Sequence, residues 1–205
     1  MITIHPIRRI ILTAGSILFG SSILAQNATP SVDLQQFSSQ RIRHQKTLGL
    51  TLGSYALANI AVGAIVAGQT TGETKYFHRM NVYWNLVNLG IAGVGLLGSL
   101  KKHAPDETLS QAIRQHENMK QILLLNAGLD VAYVLGGIYL RERANNHPDQ
   151  ADQLRGYGKS IMLQGGFLLA FDLANYFIFK NRGDKQEMRL IGTAPMGMGV
   201  VIPIK

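Results

Sequence analysis

"QILLLNAGLDVAYVLGGIYL", residues 121–140, is bracketed by Lys120 and Arg141 and holds one charged residue, Asp130, at its tenth position. Twenty residues rise about 30 Å as an α-helix, the thickness of the hydrocarbon core of a bilayer. A soluble helix of this length needs a polar stripe of charges on one side, and this run has none. The stretch therefore predicts a membrane-spanning helix with a carboxylate near its centre.

Residues 47–70, 80–100 and 160–179 repeat the pattern, and the last of these runs carries Asp172. Their other polar residues are Asn, Gln, Ser and Thr. Four helices apolar on every side cannot all be buried in a 205-residue chain, so lipid must cover them. The fold class that follows is an all-α membrane protein: a four-transmembrane-helix bundle over residues 47–180. The third span holds ten Leu, Ile and Val residues, each favouring insertion by about 0.3 to 0.6 kcal/mol, whereas a central Asp costs about 2.5 to 3.5 kcal/mol. That near balance makes packing against neighbouring helices decisive. Small residues at four-residue spacing (Gly128, Ala132 and Gly136; Gly63 and Ala67; Ala64 and Gly68) suggest where backbones approach.

Outward from the spans, Arg8 and Arg9 precede an apolar Ile10–Leu24, and "SILAQ" offers a cut after Ala25. Residues 1–25 read as a secretory signal. Residues 26–46 form an extracytoplasmic segment in which Val32–Arg43 suits a short amphipathic helix at the membrane surface, or else a tether. "TTGETKYFHR" is a short hairpin loop, and a helix starts at Asp106 or Thr108 after Pro105. The tail, residues 181–205, contains two β-prone runs, Met188–Ile191 and Gly199–Ile204, which suggest a small β-hairpin with Pro203 at its edge.

Aligning Asn59 with Asp130 sets "IRHQKTLGLTLGSYALANIAVGAI" over "IRQHENMKQILLLNAGLDVAYVLG". "LVNLG" in the second span likewise aligns with "AFDLA" in the fourth. The pattern suggests a duplicated two-helix unit of parallel topology. It also places one Asn or Asp near the middle of every span: Asn59, Asn88, Asp130 and Asp172. Helical rise sets these four at one membrane depth. Asn81, Asn85 and Asn88 share a face, as do Asn126, Asp130, Tyr133 and Gly137, and Gln164, Asp172 and Asn175. The candidate site is thus Asp130, Asp172, Asn59, Asn88, Asn126 and Asn85. Facing carboxylates repel when both are ionised, so the layer suits an ion or proton site, or a polar ligand pocket, near the bilayer midplane. The structural alternative is that amide and carboxyl hydrogen bonds simply fasten the helices, at about 0.6 kcal/mol per contact.

Several chemistries find no support. The chain has no cysteine, which excludes disulfides and thiol chemistry. "GYGKS" at 156–160 lacks both the first glycine of a phosphate-binding loop, where Gln153 stands, and the preceding strand. The six histidines show no zinc-binding spacing, and no catalytic set can be assembled, so neither metal, cofactor nor enzymatic activity is expected. The net charge of +8 is spread between apolar runs rather than forming a patch. It points to anionic lipid rather than nucleic acid. The expected partners are the bilayer and a second copy or another membrane protein. Tyr76, Tyr83, Trp84 and Tyr157 lie near span ends, where aromatic belts form.

A cleaved signal places both termini outside the cytoplasm. Counting Lys and Arg then gives six inside and twelve outside, against the positive-inside rule. The signal is followed here, with location in a bacterial inner membrane. "YFHRMNVYWNLVNLGIAG" (76–93) together with "GYGKSIMLQGGFLLAFDLANYFIF" (156–179) resembles an uncharacterised family of signal-bearing membrane proteins of Bacteroidota. The resemblance spans residues 30–180 and implies an envelope setting without an activity. The expected function is that of a non-enzymatic scaffold or accessory subunit of a membrane assembly. The alternative is a small transporter or a proton- or ion-linked channel using the Asp/Asn layer.

Overall fold

The computed structural model describes residues 32–100 and 107–192. The signal-like N-terminus and the Gly199–Ile204 run lie outside them. Four long helices account for almost all of the described chain: α1 Val32–Gln69, α2 Gly72–Leu100, α3 Leu109–Arg143 and α4 Ala151–Gly192. Each is long and apolar enough to cross a membrane. The described part of the tail departs from expectation, because Met188–Ile191 continues α4 as helix and forms no strand. No proline separates "EMRLIG" from the apolar run, and helical hydrogen bonding propagates through the intervening 180–186, Gly183 included. Val32–Lys46 likewise forms the first turns of α1 rather than a helix of its own.

Local chemistry sets the boundaries. α1 and α2 are separated by Thr70 and Thr71 alone, and Gly72 adopts φ 58, a left-handed conformation that favours glycine. α3 starts with a capping box: Thr108 Oγ1 accepts from the Gln111 backbone N–H, and Gln111 Oε1 accepts from the Thr108 backbone N–H. Arg141 and Arg143 occupy its last turn, where cations oppose the helix dipole. Two 3₁₀ turns, Ala144–Asn146 and Pro148–Gln150, then lead into α4.

The chain is thus two antiparallel hairpins, α1–α2 and α3–α4, joined through α2 against α4. Neighbours run in the order α1, α2, α4, α3. Among the described residues, no Cα of α2 comes within 8 Å of α3. Both short hairpin connections lie at one end of the bundle (the hairpin end). The start of α1, the start of α3 and the end of α4 gather at the other (the terminal end).

The two regions of the bundle have opposite polarity. At the terminal end Leu34, Phe37, Ala112 and Leu190 form an ordinary hydrophobic core. Along the apolar runs the pattern is inverted. Every exposed large hydrophobic residue among the described positions falls within 50–65, 83–97, 122–139 or 163–178, whereas Asn81, Asn85, Asn88, Asp130, Gln164 and Asp172 are buried. Water would penalise that surface heavily, and a hydrocarbon solvent would not.

The closest backbone contacts are not those suggested by the small-residue stripes. Gly128 and Gly136 face outward, with nothing within 4 Å of a Cβ placed there, and the same holds for Gly68. The α3–α4 crossing uses Gly137 instead, where an added Cβ would stand 2.6 Å from the Gly158 carbonyl oxygen. Gly156 sits 2.5 Å by the same measure from the Glu73 carbonyl oxygen, pinning α4 to α2. Gly63 does face a neighbour, Val82 and the His78 carbonyl.

Candidate functional site

Asn81 is the hub of the first polar group. Its Nδ2 donates to Asn59 Oδ1 at 3.0 Å, and its Oδ1 accepts from Gln164 Nε2. Gln164 Oε1 accepts in turn from the Tyr55 hydroxyl at 3.2 Å, and Asn59 Nδ2 donates back to the Tyr55 carbonyl at 2.9 Å. The Tyr55 ring stacks on Phe167 with centroids 3.7 Å apart. Three helices are joined here by side chains whose polar atoms have found one another, as burial demands.

A ladder down one face of α2 connects this group to a second. Asn85 Nδ2 donates to the Asn81 carbonyl at 2.8 Å, and Asn88 Nδ2 donates to Asn85 Oδ1 at 3.4 Å. The second group is Asn88, Asn126, Asp130 and Asp172. The side chains of Asp130 and Asp172 engage each other, and Asn126 engages Asp172. The predicted single layer is therefore two tiers. Asn59 lies level with Asn81, seven residues and about 10 Å along the axis from Asn88. Helical rise counted from each run's midpoint cannot reveal the axial stagger between helices, and packing set it.

The lower tier faces a cavity of about 360 Å³ whose walls come from α2 and α3 and whose floor is α4. It exists because α2 and α3 do not pack together. Trp84 and Tyr133 bridge the gap edge to face, with centroids 4.7 Å apart, one turn toward the hairpin end. Trp84 thus belongs to the cleft rather than to an interfacial belt. Tyr76 and Tyr157 do meet near the hairpin end, at 5.8 Å. Asp130 is 3 % exposed, and its Oδ2 has no hydrogen-bond donor among the described residues. A buried carboxyl so placed needs a proton, shared with Asp172, or a bound cation.

Asn175, on the predicted stripe of α4, turns away from the cleft. Its Oδ1 meets His44 Nε2 at 3.2 Å, and Arg182 Nη2 lies 2.7 Å from His44 Nδ1. Because the guanidinium can only donate, Nδ1 accepts and Nε2 carries the proton. Further into the terminal end, Arg41 pairs with Glu107 at 2.5 Å, both side chains buried. Ser38 and Gln115 also donate to Glu107. His116, stacked on Phe179 at 4.5 Å, lies 3.2 Å from Asp184 Oδ1. This level lies beyond the apolar runs, and burial there holds the His116 imidazole below its ordinary range, only partly offset by Asp184.

His116, Glu117 and Asp184 present ligand atoms close enough to hold a metal. The Lys120 ammonium, 2.6 Å from Glu117 and 2.8 Å from Asp184, already occupies the position of the cation. Apart from the local Glu107–Gln115 and Glu117–Lys120 contacts, none of this terminal network was legible in the sequence, because its partners are 64 to 138 residues apart. No local spacing marks such pairs.

The class defined by these features is a protein whose described residues are almost all helical, with four helices fit to cross a membrane, a polar interior and a lateral, carboxyl-lined cleft. Within that class, the chain belongs to a family of unknown function, DUF6992, whose model matches residues 51–173. The matched stretch contains every residue lining the cleft, from Leu52 to Asp172. No curated protein and no solved structure matches the chain.

Proposed function

We propose that this is a non-enzymatic integral membrane protein of the bacterial envelope. It crosses the bilayer four times and works as a small proton- or cation-linked transporter or channel through Asp130 and Asp172. The observation that carries this reading is Asp130 Oδ2: buried, without a donor among the described residues, beside a second carboxyl at the edge of a cavity. The Asn81 group, by contrast, satisfies its polar atoms among its own side chains, as a fastening contact does. The signal-like N-terminus supports placing both termini outside the cytoplasm, and a C-terminal reporter fusion tests that placement. In proteoliposomes carrying a pH gradient, Asp130→Asn and Asp172→Asn should abolish pH-dependent cation or proton flux while leaving the folded level unchanged. Loss of stability without any flux in the parent protein would assign the pair to fastening.

A scaffold or accessory subunit is the second reading. It is favoured by the outward stripe of Gly128, Ala132 and Gly136, which has no partner among the described residues. Such stripes accept a second helix closely in lipid. Co-purification after mild detergent extraction, lost on Gly128→Leu, would support it over transport.

A further inference from the structure

The chemistry of the cleft is narrower than "cation". Two carboxyls and the amides of Asn88 and Asn126 line it together, about a turn from the indole of Trp84 and the phenol of Tyr133. Asn88 donates one N–H to Asn85, which leaves its oxygen and a second N–H to offer. Around this acceptor cluster the lining is apolar, including Leu52, Ile91, Leu168 and Phe171. A hydrated metal ion would leave that wall facing its water shell, at a cost. An organic cation with a hydrocarbon body would cover it.

The mouth of the cleft opens sideways. Its rim residues Val87, Ile91 and Leu129 are among the exposed hydrophobics that form the apolar surface of the bundle. A ligand already dissolved in the bilayer would enter without crossing water. Trp84 and Tyr133 close one side about a turn from the carboxyls, where aromatic rings favour a cation nearby. The volume, about 360 Å³, lies at the lower end of the range for small-molecule sites.

From the acceptor cluster, its apolar walls and its lateral mouth, we infer that the cleft binds a lipophilic primary ammonium, entering from the bilayer between α2 and α3. The inference rests on the reading of Asp130 and Asp172 as a cation site. Three N–H donors on one nitrogen match a cluster of acceptors, and a quaternary ammonium has none to give.

The chain provides its own reporter, since Trp84 is its single tryptophan and lines the cleft. In phosphatidylcholine nanodiscs, n-octylammonium should change Trp84 fluorescence saturably. 1-Octanol, with the same chain and no charge, should not, and octyltrimethylammonium should bind about tenfold more weakly or worse. Asp130→Asn and Asp172→Asn should each weaken n-octylammonium by about tenfold or more. Val87→Phe, which crowds the mouth and leaves both carboxyls in place, should weaken it comparably without lowering thermal stability. An equal, non-saturating response to octanol and octylammonium, or binding unchanged in both Asp→Asn variants, would overturn the ligand class. If in that case pH or sodium still titrates Trp84 through Asp130, the cation-site reading survives. If neither moves the signal, both readings fall.

Discussion

Replacing Gly158 by Ala tests the geometry that holds the cleft in shape. A Cβ at Gly158 would stand 2.5 Å from the Gly137 carbonyl oxygen, 2.7 Å from Arg141 Cγ and 3.2 Å from the Arg141 backbone nitrogen. Ordinary contact begins near 3.4 Å, so α3 and α4 must part by roughly 1 Å. The obstructing oxygen is helical backbone, which has no rotamer to move into. Overpacking of this kind costs about 1–3 kcal/mol. Ala is also the better helix former, by about 1 kcal/mol, which offsets part of that loss. Gly128→Ala supplies the control, because its Cβ meets nothing within 4 Å and only the propensity gain remains. The two variants should therefore differ in unfolding free energy by about 1–3 kcal/mol, read from denaturant titration in mild detergent. Gly137→Ala probes the same contact from the other side, and the second methyl would enter a gap the first had opened. The double variant should then be less destabilised than the sum of the singles by about 1 kcal/mol. If Gly158→Ala is as stable as Gly128→Ala, the reciprocal glycine crossing is wrong. The relation of α3 to α4 that brings Asp130 to Asp172 would then lose its support.

Three further outcomes follow from the interior. Arg41→Met should cost about 3–5 kcal/mol by stranding buried Glu107, whereas Arg41→Met with Glu107→Leu should recover part of it, the remainder being the Ser38 and Gln115 donors left without their acceptor, as measured by the same titration. Asn81→Leu removes the side-chain bonds to Asn59, Gln164 and Asn85 and should cost roughly 2 kcal/mol, against about 0.6 for Tyr55→Phe. The folded-state pKa of His116 is lowered, so the unfolded chain binds the proton more readily. Stability from this group should be complete above its unfolded pKa, about 6.5, and decline as pH falls below it. Thermal melts at stepped pH should show that decline reduced in His116→Gln.

The sequence by itself determined the four long helices of the described residues and where their apolar runs start and stop. Run length between charges is a one-dimensional property, and lipid imposes it without regard to neighbours. It also marked the unusual residues, since a carboxylate at the tenth position of a twenty-residue apolar run is conspicuous wherever the helix packs. Which way each helix turns was much less legible. In water, amphipathic patterning declares the buried face. In the apolar runs most side chains suit lipid and protein alike, so the pattern is weak. The two faces of α3 illustrate the consequence. Asn126, Asp130 and Gly137 point inward together as their spacing suggested, whereas the equally regular Gly128, Ala132 and Gly136 point outward. Only tertiary structure decided that Asn59 pairs with Asn81, that α2 and α3 stand apart, and that a cleft with two carboxyls lies between them. Axial stagger and helix neighbours are set by glycine contacts and hydrogen bonds between residues far apart in the chain, and no local spacing encodes them.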